Sequence, residues 1–403
     1  VANSLLTLNP EFWAKEAQKS LFVNNSAMLV ANTTLRNLVA GEGDTVRRVI
    51  MSHAAQGTYT PGSDLSFTTL SSSEPALSIA TWFFSAVRVD DTEKKQSIIS
   101  IGEIAAQRMM ANHNNRIEQA VLYEVFNATF SLDDGNVGGT SGNNIVLNTS
   151  NVPQVFTSAD TQLDAVDAPR ESRIAVVGGH FLAQLRLQQA GRTTRFGDRV
   201  NARGEVGELF GWKIIYNNNL PYHAVLDMTT IPTDTDTVTI AGVVFTADAS
   251  GAAVGAGAFS IGDQAADAIT YLVNAINDSG TQGAANFIDI GSEDRFLLRD
   301  KRRIVATNQV TSIAIDGFGD VVVSETLTPA ASVWSEQRQN ALFCTAGSVH
   351  QIVQIPPKLE VARDQDQFAD IVKSLLGYGV QSFDDGRRQM VDVQLDASTS
   401  DWS

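Results

Sequence analysis

The sequence predicts an α+β fold of two or three compact units, and three observations carry that reading. A long β-hairpin pattern runs directly into one long amphipathic helix. A later α/β stretch holds a glycine-rich turn segment that feeds a strand. An acidic block of different composition interrupts that stretch. The 403 residues exceed what one small core needs. Hydrophobic content of 43% beside charged content of 18% describes a chain that folds.

Residues 1–43 read as an arm. Asn9-Pro10 opens a short helical pattern with Phe12, Trp13, Ala17, Leu21 and Phe22 at helix spacing, and Asn24–Val39 makes no compact unit. Side chains of that size need cover, so the arm either folds back on its own body or lies on a second copy. Residues 44–89 read as an extended hairpin. Its first strand begins at Gly43-Asp44-Thr45-Val46, Pro61-Gly62 turns within a Ser/Thr-rich tract, and a second strand runs from Ala76 to Val89. Such a hairpin is unstable alone and requires a surface to lie on. Residues 90–150 form the next unit. Asp90-Asp91-Thr92-Glu93 starts the strongest helix, its acids complementing the helix dipole. Ile98, Ile101, Ala105, Met109, Ile117, Val121 and Val125 mark one face. Unbroken from Asp91 to Ala128, it would exceed about 50 Å at 1.5 Å per residue.

From residue 151 to 226 the pattern is α/β. Arg173–Gly179 reads as a buried strand, and His180–Gln189 as a helix with Phe181, Leu182, Leu185 and Leu187 on its apolar side. Arg195–Pro221 sets Gly197, Gly204, Gly207 and Gly211 before the strand Trp212–Tyr216 and ends on Asn217-Asn218-Asn219-Leu220-Pro221. These glycines permit turns, but they spell neither a dinucleotide fingerprint nor a phosphate loop. Residues 227–330 carry 14 acidic and 5 basic residues, a net −9 of the chain's −16. A helix at Asp263–Asn277 shows a clean stripe of Ile269, Leu272, Val273 and Ile276. Three hairpin-like strand groups surround it, with strands expected at Thr237–Ala247, Arg303–Asp316 and Val321–Thr326 and Asp316-Gly317 as a turn. The block reads as an αβ domain inserted at a surface loop, with its cations gathered at Arg295, Arg299, Lys301, Arg302 and Arg303. The host resumes over 331–355 as strand and turn. Pro356-Pro357 breaks it, and 356–403 closes the fold with a helix at Gln365–Gly377 and strands after Tyr378.

The residue inventory holds no recognisable catalytic constellation. His53, His113, His180, His223 and His350 lie in unrelated segments without an i,i+4 pair. Ser141 sits in a loop, not a nucleophile elbow. Asp90/Asp91, Asp133/Asp134 and Asp384/Asp385 fit helix starts or turns, and no spaced ligand series follows Asp133. The single cysteine, Cys344, excludes a disulfide framework and reads as a buried, inert thiol. No cofactor or metal is expected. No secretory signal and no apolar run of 18 residues occurs, so no membrane partner is expected and a reducing cytosol is the expected place of synthesis. A net charge of −16 argues against a nucleic-acid-binding module, though not against a wall enclosing nucleic acid.

Several of these passages resemble the tailed-bacteriophage major capsid proteins of the HK97-type fold. The likeness rests on the Gly43-Asp44-Thr45-Val46 strand with its hairpin, the long helix, and the Arg173–Val177 strand. It extends through the glycine pattern Gly207-Glu208-Leu209-Phe210-Gly211-Trp212 with Asn219-Leu220-Pro221, and through Tyr378-Gly379-Val380. It covers about residues 40–226 and 335–395. It implies an N-terminal arm, a hairpin E-loop laid across the adjacent subunit, a P-domain with its spine helix, and an A-domain split by the 227–330 insertion. It further implies a homo-oligomeric shell of pentamers and hexamers around double-stranded DNA, located in the virion after assembly in the host cytoplasm. A separate scaffolding protein or a cleaved propeptide, a portal and a decoration protein are the implied partners. Some relatives crosslink through a hairpin lysine, but no lysine lies between Lys19 and Lys94, so a noncovalent shell is expected here. Phe12, Trp13, Phe22, Arg47, Arg48, Asp64, Arg299, Lys301, Arg302 and Arg303 are the candidate intersubunit contacts. Two alternatives stay open: an encapsulin-type nanocompartment shell, and an α/β enzyme whose site is unrecognised.

Overall fold

A computed structural model describes residues 27–35, 45–51, 54, 56–62, 64, 67, 69–96, 101–190, 208–249, 255–280, 282–283, 286–328, 333–364 and 366–397. Phe12, Trp13, Phe22, Gly197, Gly204 and Gly207 lie outside the described residues. The end of the arm lies on its own body. Helix α1 (Ala27–Val30) places Val30 fully buried in the main core, and β1 (Ala31–Asn32) pairs in parallel with Val349 and His350.

The hairpin forms two short antiparallel ladders. β2 (Thr45–Arg47) pairs β5 (Ala76–Ser78), and β3 (Ile50–Met51) pairs β4 (Ser72–Ser73). The expected Ala76–Val89 strand is two strands, because Ile79 turns into a small core beside Leu77 while β6 (Thr81–Asp90) joins another sheet. Helix α2 (Asp91–Gln96) follows, then α3 (Ile101–Tyr123), which ends in a tighter turn at Glu124–Asn127. Residues 97–100, inside the expected unbroken helix, lie outside the described residues. The 23 residues of α3 span roughly 34 Å. Met109, Ile117, Val121 and Val125 are buried as the periodicity predicts, and so are Leu122, His113, Glu118 and Gln119.

β7 (Phe130–Leu132) leads to α4 (Val152–Asp164), a helix the sequence pattern did not reveal. β8 (Arg173–Val177) is buried along its whole length, and α5 (Gly179–Ala190) packs through Phe181 and Leu185. Leu187, expected on the apolar side, is 62% exposed, because the buried side turns to Gln189 instead. β9 (Glu208–Leu209) and β10 (Trp212–Tyr216) pair Leu209 with Trp212 across Phe210 and Gly211, both at positive φ. This is the two-residue turn that the right-handed strand twist favours, and Gly211 meets its demand without strain.

β11 (Pro221–Asp227) follows, then β12 (Thr237–Ile240) and β13 (Val243–Asp248). The hairpin-like strand group expected at Thr237–Ala247 is a hairpin of these two strands, turned by Ala241-Gly242 at positive φ. β14 (Ala258–Ser260), α6 (Ala265–Asn277) and α7 (Ser292–Arg295) come next. The α6 stripe Ile269, Leu272, Val273 and Ile276 is buried. β15 (Val305–Gln309) and β16 (Ser312–Phe318) turn at Val310-Thr311, so Asp316-Gly317 lies inside a strand and not at a turn. β17 (Val323–Glu325), β18 (Val333–Thr345), β19 (Val349–Arg363) and β20 (Ala369–Gln381) follow. α8 (Asp384–Arg387) and β21 (Met390–Asp396) close the chain.

Two elements near the end of the chain differ from expectation. The helix expected at Gln365–Gly377 is strand β20, hydrogen-bonded to β19 on one side and β6 on the other. Val372, Ser374, Leu376 and Tyr378 are buried while Lys373 and Leu375 are exposed, which is a strand period of two. Pro356-Pro357 does not end β19 either. The strand runs through with register shifts around Ile355, a bulge that accommodates residues lacking an N–H.

A four-stranded sheet has the order β1-β19-β20-β6, with α3 on one face. A nine-stranded sheet runs β15-β16-β11-β18-β8-β10-β9, with β21 and β7 attached beside β18. A smaller sheet has the order β14-β13-β12-β17. One core joins Val121, Phe156, Phe181, Trp212 and Phe343. A second joins Tyr222, Leu226, Phe245, Leu272 and Ile315, so the 227–330 block shares both sheet and core with β11.

Candidate assembly surfaces

The hairpin exposes what a monomer would bury. Val49, Met51, Tyr59 and Leu70 are exposed, and Phe67 is 93% exposed. Its root is fixed by Val46, Leu77, Ile79, Ile352 and Phe383. Arg48 reinforces the root: its guanidinium lies 2.7 Å from Asp385 and 5.7 Å from the Phe383 ring centre. Arg47 pairs with Glu74 at 3.6 Å across the hairpin, an exposed bridge worth at most about 1 kcal/mol. Asp64 is exposed near the tip.

The four-stranded sheet presents a second apolar surface on the side away from α3. Toward the helix, Phe83, Leu376 and Tyr378 pack with Ile117, and Arg116 caps Phe83 at 4.5 Å. On the other side Trp82, Phe84 and Leu375 stand exposed, Phe84 at 79%. Trp82 lies flat over Gly377, where an added Cβ would come within 2.4 Å of the ring.

A polar junction holds the nine-stranded sheet against α3. Glu118, 1% exposed, accepts hydrogen bonds from Asn217 Nδ2 at 2.7 Å and Asn219 Nδ2 at 2.8 Å. Gln119 Nε2 donates to the Lys301 carbonyl at 2.8 Å, and Arg116 lies 3.7 Å from Asp300. The terminal asparagines of the glycine-rich segment are thus the clamp on the long helix. Glu118 and Gln119 stand among Ile117, Val121 and Leu122, and polar residues inside an apolar helical stretch were the available signal.

The basic cluster turns toward its own chain. Arg299 donates to the Ala275 and Ile276 carbonyls at the end of α6 and pairs with Asp289 at 3.0 Å and Asp278 at 3.2 Å. Arg303, at φ 50°, stacks 5.3 Å over Phe318, and Arg302 reaches the Phe318 carbonyl at 3.4 Å. Burial lowers the pKa of all three arginines. Among the candidate contacts of this cluster, Lys301 is the exposed one.

Burial and local contacts account for the shifted titratable groups. Burial pushes the Cys344 thiol up to about 12. Burial, then the nearby Arg116, lowers His113, and burial followed by Arg48 lowers His350. Asp133 caps the turn at Asp134–Val137, its pKa lowered mainly by the Gly142 N–H. Among the described residues no group of three or more His, Cys, Asp or Glu could hold a metal ion, and no helix is long and apolar enough to cross a membrane.

No protein-family model matches the chain, and no curated protein sequence does. Solved structures do. A structure from Mycobacterium phage Che8 aligns at TM-score 0.56 and 13% identity, covering 98% of this chain and 100% of that one. The capsid structure of cyanophage P-SCSP1u aligns at 0.52 and 11%, covering 98% and 95%. The mature capsid of bacteriophage PhiM1 aligns at 0.50 and 12%, covering 96% and 91%. The chain therefore has the α+β fold of phage capsid subunits.

Proposed function

We propose that this chain is the major capsid protein of a tailed bacteriophage, a structural subunit and not an enzyme. Copies assemble into hexamers and pentamers of an icosahedral shell that encloses double-stranded DNA without reading its sequence. A single observation carries the proposal: the fold matches phage capsid structures over nearly the whole length of both chains. The hairpin supports it, since its exposed Phe67, Tyr59 and Leu70 need a surface that a lone subunit lacks. Arg47, Asp64 and Lys301 remain candidate contacts, and so do Phe12, Trp13 and Phe22 of the arm. Arg48, Arg299, Arg302 and Arg303 would contribute by holding their own subunit in shape. With no lysine between Lys19 and Lys94, the hairpin has no amine for an isopeptide bond, so the shell is noncovalent. A scaffolding protein, a portal and a decoration protein would complete the particle, formed in the host cytoplasm.

Light scattering and electron microscopy of purified protein test this. Megadalton closed particles are expected, and a monomer under all assembly conditions would overturn the reading. Nuclease-protected DNA in particles recovered from infected cells is expected; enzyme cargo in its place would favour the encapsulin-type shell.

A further inference from the structure

We infer that Arg116 and Arg303 form a binding site for a small tetrahedral oxyanion such as phosphate, at the seam between α3 and the loop that enters β15. All its residues belong to one subunit, so the site stands independently of the shell reading. Each guanidinium rests on an aromatic face. Arg116 lies 4.5 Å from the Phe83 ring centre and Arg303 lies 5.3 Å from that of Phe318. Stacking of this kind fixes the plane of a guanidinium and leaves its in-plane N–H groups free to donate. Among the described residues, neither side chain donates a hydrogen bond and no carboxylate pairs with Arg303. Arg116 has one acid near it, Asp300 at 3.7 Å, whose side chain is 57% exposed. A chain of 45 acidic and 29 basic residues thus leaves two half-buried cations short of counter-charge.

The pair is held in place before any ligand arrives. Arg116, Gln119 and Tyr123 lie along one side of α3 at spacings of three and four residues. Gln119 Nε2 donates to the Lys301 carbonyl at 2.8 Å, which ties the loop carrying Arg303 to the helix. The ring platforms are supported in turn, Phe83 by Tyr378 at 6.4 Å and Phe318 by Tyr123 at 6.0 Å. Arg303 also holds φ 50°, a left-handed backbone that costs a non-glycine residue energy. Burial, then repulsion from Arg303, lowers the pKa of Arg116, and both cations act on Tyr378. An anion between the two guanidinium groups replaces that repulsion with two charge-assisted forks. Access limits its size. The Arg116 side chain is only 20% exposed, while Tyr123 at 45% leaves the seam open to solvent. A nucleic-acid duplex needs many exposed cations to release its counterions, and a chain of net charge −16 repels it. A single phosphate needs only these two.

Thermal unfolding of dilute soluble subunit in sodium phosphate, against sodium chloride at matched ionic strength, tests the site. The wild-type midpoint should climb with phosphate concentration and keep climbing logarithmically above the dissociation constant, as a ligand of the folded state requires. A midpoint that moves no differently in phosphate and chloride would overturn the site, and this result needs no variant to fold. Titration calorimetry then assigns the residues. Arg116→Lys and Arg303→Lys keep the charges but remove the forks, and each should weaken phosphate binding about tenfold or more. Lys301→Gln removes an exposed neighbouring charge and should change the affinity by less than about twofold. Sulfate should compete with phosphate. Equal losses in all three variants would mean diffuse attraction and an adventitious ion only, against the proposal. A double-stranded oligonucleotide that displaces phosphate, and whose own binding is lost in R116K and R303K, would replace the small anion by a nucleic-acid backbone and overturn the inference.

Discussion

Asp392 gives the structure its sharpest pH signature. It lies on β21, 7% exposed, inside the nine-stranded sheet, where Asn340 Nδ2 approaches both carboxylate oxygens at 2.7 and 2.8 Å. Burial dominates over those hydrogen bonds and pushes the acid up to about 6 from 3.8. The folded protein therefore keeps this proton up to about pH 6, while the unfolded chain releases it near pH 4. The stabilisation from that proton is fully present below the unfolded value and is lost as pH rises through the folded one. A rise of this size corresponds to about 3 kcal/mol. Asp133 and Asp164, both held below the usual carboxylate range, act in the other direction and at lower pH, so the windows separate. Asp392→Asn removes the titration and leaves the site neutral. Urea unfolding of dilute soluble subunit at half-unit steps from pH 4 to 7 should show the variant gaining on wild type by up to about 3 kcal/mol as pH rises. A flat difference curve, or one that falls with pH, would refute the buried, proton-holding acid.

The remaining predictions probe the junction, the helix cap and the exposed sheet. Glu118→Ala takes the acceptor from two buried amides and should cost about 2–5 kcal/mol, while Glu118→Gln, which keeps one acceptor oxygen, should cost about half; equal losses in denaturant unfolding would refute the shared clamp. Arg299→Met should cost about 2–3 kcal/mol by stripping the carbonyl cap from α6, and Arg299→Lys should not restore it, because one ammonium cannot span two carbonyls and a carboxylate. A thermal midpoint for R299K equal to wild type would contradict this. Gly377→Ala forces Trp82 off the strand and should cost about 1–3 kcal/mol, with the steric part absent when Trp82 is also alanine; additive losses in that double-mutant cycle would show that the ring does not rest there.

What the sequence disclosed and withheld divides along a physical line. The α6 stripe and the buried β8 strand were legible, because each is set by local periodicity that burial then obeys. β20 was not. Phe368, Ala369, Ile371, Val372, Leu375 and Leu376 fit a helical face as well as a strand, and only pairing with β6 and β19 decides between them. Pro356-Pro357 looked like a terminus, but a bulge absorbs both residues at little cost. Of the candidate contacts, Arg48 and Arg299 carried charge without direction, and direction is set by distant partners: Asp385 for one, the end of α6 for the other. The Glu118 clamp showed only as a polar pair in an apolar stretch, and its partners were hidden for the same reason. Its acceptor and its donors lie about 100 residues apart in sequence.

The acidic block is tied closely to the sheet that carries it. A net −9 and an isolated helix stripe suggested a module set into a surface loop. Yet β16 pairs with β11 along seven rungs, and β11 pairs with β18 on its other side. Removing residues 227–330 would take away β15 and β16, strip β11 of a strand neighbour and bare Tyr222, Ala224 and Leu226, all buried at present. A shorter cut that spared β15 and β16 would leave Ile313 and Ile315 without α6 and the small sheet over them. Among the described residues, either cut opens a core. The block is therefore better understood as growth of the large sheet past β11, capped by α6 and the four short strands. Arg302 and Arg303 fit that view, because one donates to the Phe318 carbonyl and the other stacks on the Phe318 ring, both at the end of β16.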